Sequence, residues 1–507
     1  MAIRTYGLSG SGMDVDQMVK DMMKARRIQY DKMYQEKTRL EYKKKDFNTI
    51  YTTLKEFREK NVFDFRMASQ LRPMKATASD SSVATVTANA DAVPINHTVE
   101  VTSLATAAMS KSAATITTSA DKSTLASQFG LDSSASFDVT LNDGVNTKTI
   151  TVDPTKSIHE LAASINNAGL NIRANYDTTL DRFYLYNLQT GSANKLQVTD
   201  ASVDVGGAAK QFFGDVLKLG AVDTAGTDAM IKIDGVEATA QASNKFTVSG
   251  LTFDLKKTGT TTIDVGADVD KAVENVKAFI ESYNSTVKKI TDELGEKYYR
   301  DFNPLTTDQK KDMKDDEIKA WEEKAKSGML RNDAMLRGLV GDLRINFAEP
   351  VSGLNGNYKS ATDLGITTAS YVDEDGKFVD ISSLGGMLSV DEKKLRTALN
   401  SDPDALYKIF ATTGATNKES GVSRRLYDTL KAGLDKIVVT AGRSADLTGD
   451  TDSTLAKRLD DMNKRMSNEE RRLKDLEARY YRQFDAMEVA LQRMSSQSNW
   501  LAQQFSS

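Results

Sequence analysis

No cysteine occurs anywhere in the 507 residues, which removes disulfides, thiolate metal sites and cysteine nucleophiles in one step. Histidine is almost missing too. A zinc site of the usual kind or a histidine-based triad would need both His97 and His159, and these fall in strand-like and helix-like contexts far apart in the chain. With no convergent nucleophile, base and orienter, neither an enzyme nor a metal or cofactor site is expected. There is no run of 18 apolar residues, so no membrane insertion is expected. Charge of one sign is also lacking: 67 Lys and Arg nearly balance 71 Asp and Glu, for a net charge of -4, which leaves no basic field to attract nucleic acid. Met1 to Gly12 holds one arginine and no apolar core, so a cleavable signal peptide is not expected. The remaining class of partner is protein.

What is present is a soluble-type composition, 39% hydrophobic and 27% charged with a mean hydropathy of -0.44, in a chain long enough for two to four domains. Its two ends carry a seven-residue apolar repeat. After a flexible lead, Gly7-Leu8-Ser9-Gly10-Ser11-Gly12, Asp14 is placed to cap a helix with Gln17 three residues on. From there to about Gln70 no proline intervenes. Met33, Leu40, Phe47 and Leu54 recur at intervals of seven, with Ile50 and Phe57 at the alternate seam position, and Pro73 closes the segment. At the other end Leu459, Met466, Leu473, Tyr480, Met487, Met494 and Leu501 keep the same interval, accompanied by Leu455, Met462, Leu476 and Ala490. About 50 helical residues would make a rod of roughly 75 Å. A rod of that length has to bury its seam, and the matching end of the same chain is the economical partner. The fold class expected is therefore multidomain α+β, with a helical coiled-coil stalk formed by both chain ends and β-rich head domains inserted between them.

From Pro73 to about Val265 the composition shifts to Thr, Ser, Ala, Val and Gly in short alternating runs. Phe137 to Leu141 and Thr147 to Val152 read as a hairpin with a primed turn at Asn142-Asp143-Gly144, and the same device recurs at Asp234-Gly235 after Ile231-Lys232-Ile233. Ser157 with Glu160 is a capping box opening a short helix that buries Ile158, Leu161 and Ile165 and ends near Gly169. Strands at Ile172 to Tyr176 and Arg182 to Leu188 follow. Helix returns at Asp268, with Val273, Val276, Ile280, Val287 and Ile290 on one stripe. Then come a charged segment from Tyr298 to Lys326 with Trp321 in a helical setting, amphipathic pieces from Met335 to Phe347, a hairpin turning at Asp375-Gly376, and one helix from Asp391 through Phe410. The domains expected are 1-40 as a flexible foot and helix and 41-75 as stalk helix. An inner head domain would comprise 76-110 with 228-267, and an outer one 111-227. The stalk would resume over 268-455, and 456-507 would be the terminal heptad helix.

Several motifs have plain explanations. Gly7, Gly10 and Gly12 lack the preceding strand and the following Lys-Ser/Thr of a phosphate cradle. Asp373-Glu374-Asp375-Gly376 has Lys377 where a calcium loop would place a ligand, so a hairpin turn is favoured. Lys43-Lys44-Lys45 and Arg26-Arg27 read as solvated helix faces. Met462, Met466, Met487 and Met494 are either core filling or an adaptable surface that repacks against several partners. Gln483 and Gln497 weaken the seam further, which suits exchange between partners better than a permanent zipper.

The ordered motifs resemble the flagellar filament cap family, also called hook-associated protein 2, over nearly the whole chain. Gly10-Ser11-Gly12-Met13-Asp14-Val15-Asp16 with Val19, Met22 and Met23 is similar to the family opening, with Met13 where leucine is usual. Leu364-Gly365-Ile366, Gly386-Met387-Leu388-Ser389-Val390-Asp391, Leu395, and Asp402-Pro403 through Phe410 match its C-terminal pattern. Tyr481-Arg482-Gln483-Phe484, Met487-Glu488 and Gln497 to Leu501 resemble its terminus, and Ser157 to Gly169 resembles a motif of flagellin-related heads. The resemblance implies a structural cap at the distal tip of the bacterial flagellar filament, extracellular and exported through the flagellar type III channel without a cleavable signal. There it would promote the folding and insertion of flagellin. It implies a ring-shaped homo-oligomer, pentamer or hexamer, and a cytoplasmic export chaperone at the C-terminal helix. It also implies a stalk foot touching flagellin through Asp14, Val15, Met18, Val19, Met22, Met487, Leu491, Met494 and Leu501. The stalk seam itself would comprise Leu40, Phe47, Ile50, Leu54, Phe57, Leu459, Met466, Leu473, Leu476 and Tyr480. The absence of cysteine fits a chain threaded unfolded through a narrow channel.

Other readings stay open at this stage. The Thr/Ser-rich head permits an adhesin, and flagellin itself shares helical ends around a β-rich middle, although its C-terminal pattern differs from Ser498-Asn499-Trp500-Leu501. The Met-rich, Gln-interrupted seam makes the terminal helices a weakly specified foot, partly disordered until it meets flagellin. Gly7 to Met23 and Met494 to Ser507 are accordingly expected to be protease-sensitive in the free protein.

Overall fold

The computed structural model describes residues 14–368, 386–445 and 449–505. The chain forms two compact units: Met1–Leu71 with Val269–Ser507, and Arg72–Asp268.

The first unit is helical. Its N-terminal helix, Val15–Glu56, starts where Asp14 accepts a hydrogen bond from the Gln17 backbone N–H at 2.9 Å, as the sequence leads one to expect. Beyond Glu56 the expected single helix to Gln70 is not what forms. Phe57–Val62 is π-helical, and short α segments follow at Phe63–Phe65 and Ala68–Leu71. The reason lies in the stripe: continuing the heptad from Leu54 and Phe57 would turn Asn61 and Asp64 inward. A wider turn slips the register by one, and Val62 and Phe65 enter the core instead. Phe65 then stacks on Phe279 at 4.0 Å and meets Phe410 edge-on at 5.4 Å. The rest of this core comes from the helices Val269–Gly295, Ala334–Ala348, Glu392–Ser401, Ala405–Ala411 and Val422–Ala441. The sequence reading had one helix from Asp391 through Phe410. It is broken at Asp402-Pro403, because proline lacks the N–H a continuing helix needs and pushes the preceding residue out of helical backbone; Asp402 sits at φ -137° and ψ 94°. The turn expected at Asp375-Gly376 lies outside the described residues, while Ile366–Thr368 and Leu388–Val390 pair antiparallel on either side of it.

The C-terminal helix, Thr454–Phe505, runs antiparallel to the N-terminal one: Tyr481 donates a hydrogen bond to Asp16, and Lys44 reaches Asp450 just before the helix begins. Lys44 contradicts its expected place on a solvated basic face. It is 1% exposed and donates to both the Asp450 carboxylate and the Ser444 carbonyl at 2.7 Å. Asp450 also accepts from the Ser453 hydroxyl and backbone N–H, so one carboxylate holds the lysine and the approach to the next helix. Asn48, one turn further on, donates to the Lys44 and Ala441 carbonyls.

The second unit holds two hydrophobic cores. One gathers Val99, Val101, Ile231, Phe253, Ile263 and Val265 beneath a five-stranded sheet. Its strand order is Met74–Ala78, Gly259–Ala267, His97–Ser103, Met230–Ile233, Val236–Glu237. Strict alternation along His97–Ser103 sends His97, Val99 and Val101 inward and Thr98 and Glu100 outward. The other gathers Ile158, Leu161, Ile165, Phe183, Phe212 and Phe213 around the helix Ile158–Asn166, opened by the Ser157/Glu160 capping box. The two Asp-Gly turns behave differently. Asp234 and Gly235 both take positive φ in a two-residue loop closed by the Ile233–Val236 pair, as expected of a primed turn. At Asp143-Gly144 the loop is four residues long, since Asn142 pairs with Thr147. The Asp143 carboxylate organises it by accepting backbone N–H groups from Val145, Asn146 and Asn171. A Cβ on Gly144 would lie 2.2 Å from the Ala193 carbonyl, which only glycine avoids.

Two outcomes follow for stability. Burial pushes the Asp450 carboxyl up, but the hydrogen bonds from Lys44 and Ser453 outweigh it and hold it below its ordinary value. A depressed folded pKa stabilises above the unfolded value and ceases to do so as pH falls through the folded one. Lys44→Met leaves Asp450 buried and unpaired and should cost about 3 to 5 kcal/mol in urea melts at pH 7, with the gap to wild type closing under acid. Asp46 is the reverse case: burial, then Glu293 and Glu296, push its carboxyl up to about 7. The folded state therefore holds a proton that the unfolded chain has lost between about pH 4 and 7, and stability falls as pH rises through that window. Asp46→Asn should raise the Tm at pH 8 and leave it near wild type at pH 4; an equal shift at both pH values contradicts the assignment.

Candidate interaction surface on the terminal helices

The residues expected to work together divide along the two long helices. Phe47, Ile50, Leu54 and Phe57 are buried, but in the main core, where the Phe57 ring meets Phe279 and Tyr283; Leu40 packs half-buried at its edge. They were expected to face the C-terminal seam, and instead share a core with the apolar stripe of Val269–Gly295, from Val273 to Ile290. The C-terminal seam is buried at Leu459, Met466, Leu473 and Tyr480, with Leu476 half-buried. Its last packed stretch closes on Val19 and Met23.

Val19 was expected on the exposed foot, but it is 0% exposed and packs with Leu473 and Tyr480. Helical geometry explains the split: Val19 and Met23 are four apart and share the inward stripe, whereas Met18 and Met22 share the stripe beside it and remain exposed. Val15 is half-buried, and Asp14 is exposed at the cap.

Beyond Tyr480 the heptad spacing continues and the burial stops. Met487, Met494 and Leu501 are 37%, 57% and 48% exposed, Leu491 is half-buried, and no residue from 481 to 502 is buried. Tyr481 and Phe484 still pack half-buried against the Val19 cluster; residues 485 to 502 then make a helical stretch of roughly 27 Å with an apolar stripe and no seam partner among the described residues. Val489, which sequence reasoning passed over, and Trp500, cited there only as part of the terminal motif, are exposed on the same stretch. Lys44, read from the sequence as solvated, was missed too as a buried residue. Its signal was present, because it lies four residues after Leu40 and three before Phe47, on the buried stripe.

A second segment braces the N-terminal helix. Arg39 donates to Asn303 and lies over the Tyr298 ring, Arg27 pairs with Asp308 at 3.8 Å, and Lys326 lies over Tyr42. Trp321 fastens this segment internally, donating to the Asn303 carbonyl with its ring on Phe302. No helix among the described residues is long and apolar enough to cross a membrane. The chemistry this arrangement offers is apolar and exchangeable contact along a helix.

Comparison with known proteins converges on one family. A family model described as flagellar hook-associated protein 2 C-terminus matches residues 226–496, and its N-terminal counterpart matches residues 11–108. A flagellar hook-associated protein 2 of Halalkalibacterium halodurans is 29% identical over 98% of this chain and 98% of its own. Another from Thermotoga maritima is 25% identical over 71% of this chain and 54% of its own. Among solved structures, that of the flagellar cap protein FliD D1-D2-D3 domains from Escherichia coli covers 82% of this chain and 99% of its own, with a TM-score of 0.50 and 19% identity, a shared fold. Because the C-terminal model alone covers more than half of it, the chain belongs to the flagellar hook-associated protein 2 family.

Proposed function

We propose that the protein caps the distal tip of the bacterial flagellar filament and promotes the folding and insertion of flagellin subunits as they emerge. The role is structural, and the observation that carries it is the seam that outlasts its partner. Up to Tyr480 the heptad is buried in the chain itself; Met487, Met494 and Leu501 then continue the spacing in the open. A cap has to hold the filament end and yet release it each time a subunit is added, which calls for weak and replaceable contacts. Methionine side chains, flexible and polarizable, supply them. In this reading Met18, Met22 and Leu491 belong to the same flagellin-facing foot, with Asp14 and Val15 at its edge, and Val19 holds the foot together. The ring of five or six copies, the β-rich unit as inner and outer head domains, export without a cleavable signal and a chaperone on the C-terminal helix before export are parts of the same proposal.

Adhesion through the β-rich unit is a second reading with one observation behind it. Met109 lies opposite Tyr186 across two paired strands, Leu188 follows on the same face, and all three are exposed.

The triple variant Met487→Ser, Met494→Ser, Leu501→Ser should fold with an unchanged Tm, since none of the three is buried. It should also shorten filaments severely and spill flagellin monomer into the medium. Filaments of normal length would sink the capping role of this stretch. For the second reading, Tyr186→Ser with Leu188→Ser should weaken binding to mucin-coated surfaces while filaments grow normally; undiminished binding rejects it.

A further inference from the structure

The two terminal helices, where they pair, leave a groove of about 1200 Å³ along one side, between residues 25–32 of the first and 468–482 of the second. Its wall carries six cations, Arg26, Lys32, Arg471, Arg472, Arg479 and Arg482, against two carboxylates, Glu469 and Asp475. Elsewhere on the C-terminal helix Lys464, Arg465 and Lys474 each pair with a carboxylate four residues earlier, while Lys457, Arg458 and Arg493 stand singly along it without an ion pair among the described residues. In the groove Arg472 alone of the six has an ion pair, with Glu469 three residues earlier at 3.3 Å. Arg471 donates to the neutral acceptors Asn468 and Ser467. Arg26, Lys32, Arg479 and Arg482 have no ion pair among the described residues. Four cations without an ion pair thus share one groove in a chain whose net charge is -4.

The groove is not a bare cationic surface. Leu473 and Tyr480 form its floor, Leu476 is half-buried beside them, and Ile28 stands on the opposite wall, 53% exposed. An apolar seam between two antiparallel helices, flanked by like charges, has the form of a coiled coil that lacks one strand. Its length, 468 to 482, is roughly 21 Å, enough for two heptads.

We infer that this groove docks a third helix, amphipathic and acidic, supplied by a partner protein. The partner's apolar stripe covers Ile28 and Leu476, and carboxylates on both flanks of that stripe meet Arg26 and Lys32 on one side and Arg479 and Arg482 on the other. A nucleic acid or other polyanion would satisfy the charges and leave the apolar floor uncovered. The site shares only Arg482 with the stretch past Tyr480 and stands whether or not Met487, Met494 and Leu501 contact flagellin.

The test uses the full chain and three labelled synthetic peptides of equal length. The first has leucine at the seam positions and glutamate at the flanking ones, the second has lysine in place of glutamate, and the third keeps glutamate but has serine at the seam. Fluorescence anisotropy at low salt should show the first binding about tenfold or more tighter than either of the others, with most of the advantage lost at about 0.5 M salt. Arg26→Glu with Arg479→Glu should remove that preference. Lys464→Glu with Arg465→Glu, the same change of charge outside the groove, should keep it, with circular dichroism confirming both variants are folded. Equal binding of all three peptides, equal loss in the two variants, or binding of heparin with none of the acidic peptide would each overturn the assignment.

Discussion

The helical unit depends on one buried ion pair. An apolar heptad stripe does not by itself fix how two helices align, because sliding one by seven residues restores most of the contacts. Lys44 and Asp450 remove that freedom: any slide would leave a buried ammonium and a buried carboxylate without partners, a penalty that equivalent heptad positions do not impose. The same carboxylate accepts from Ser453 as the C-terminal helix begins, and Asn48 ties in Ala441 at the end of the preceding helix. Three helices are thereby aligned at one point, and the burial of Val19 and Met23 against Leu473 and Tyr480 near the far end follows from it.

From that alignment comes a division of labour along the C-terminal helix. Its first half is consumed in holding the fold, with Leu455 in the main core and Leu473 in the pair. Its last turns present the same residue spacing to the outside. One repeat therefore serves two purposes, set by whether a helix happens to lie opposite. The basic groove is a third consequence of the pairing, since it exists only between two helices held side by side and draws its cations from both.

Much of the local structure was legible because it depends on near neighbours in sequence. The Asp14 cap, the Ser157/Glu160 box and the Asp234-Gly235 turn each need a few consecutive residues in a particular backbone state, and each formed as those residues dictate. The same local rules also contained warnings that were passed over: Pro403 breaks a stretch read as one helix, and Lys44 sits on the buried stripe of a segment read as solvated. The π-turn at Phe57–Val62 belongs to another class. Its signal is a conflict, since keeping the heptad would bury Asn61 and Asp64, and only the presence of Phe279 and Phe410 across the gap makes the slip to Val62 and Phe65 worthwhile.

The sequence by itself determined that this chain has long amphipathic ends around a β-rich middle, because periodicity of seven and of two are properties of the order of residues alone. Tertiary structure decided which positions of each stripe are satisfied within the chain and which are left over. Phe47 and Phe57 went to the inner helices, Val19 closed the pair, and Met487, Met494 and Leu501 stayed exposed. A side chain's period records which face it lies on, and the partner of that face is settled only when the whole chain has competed for it.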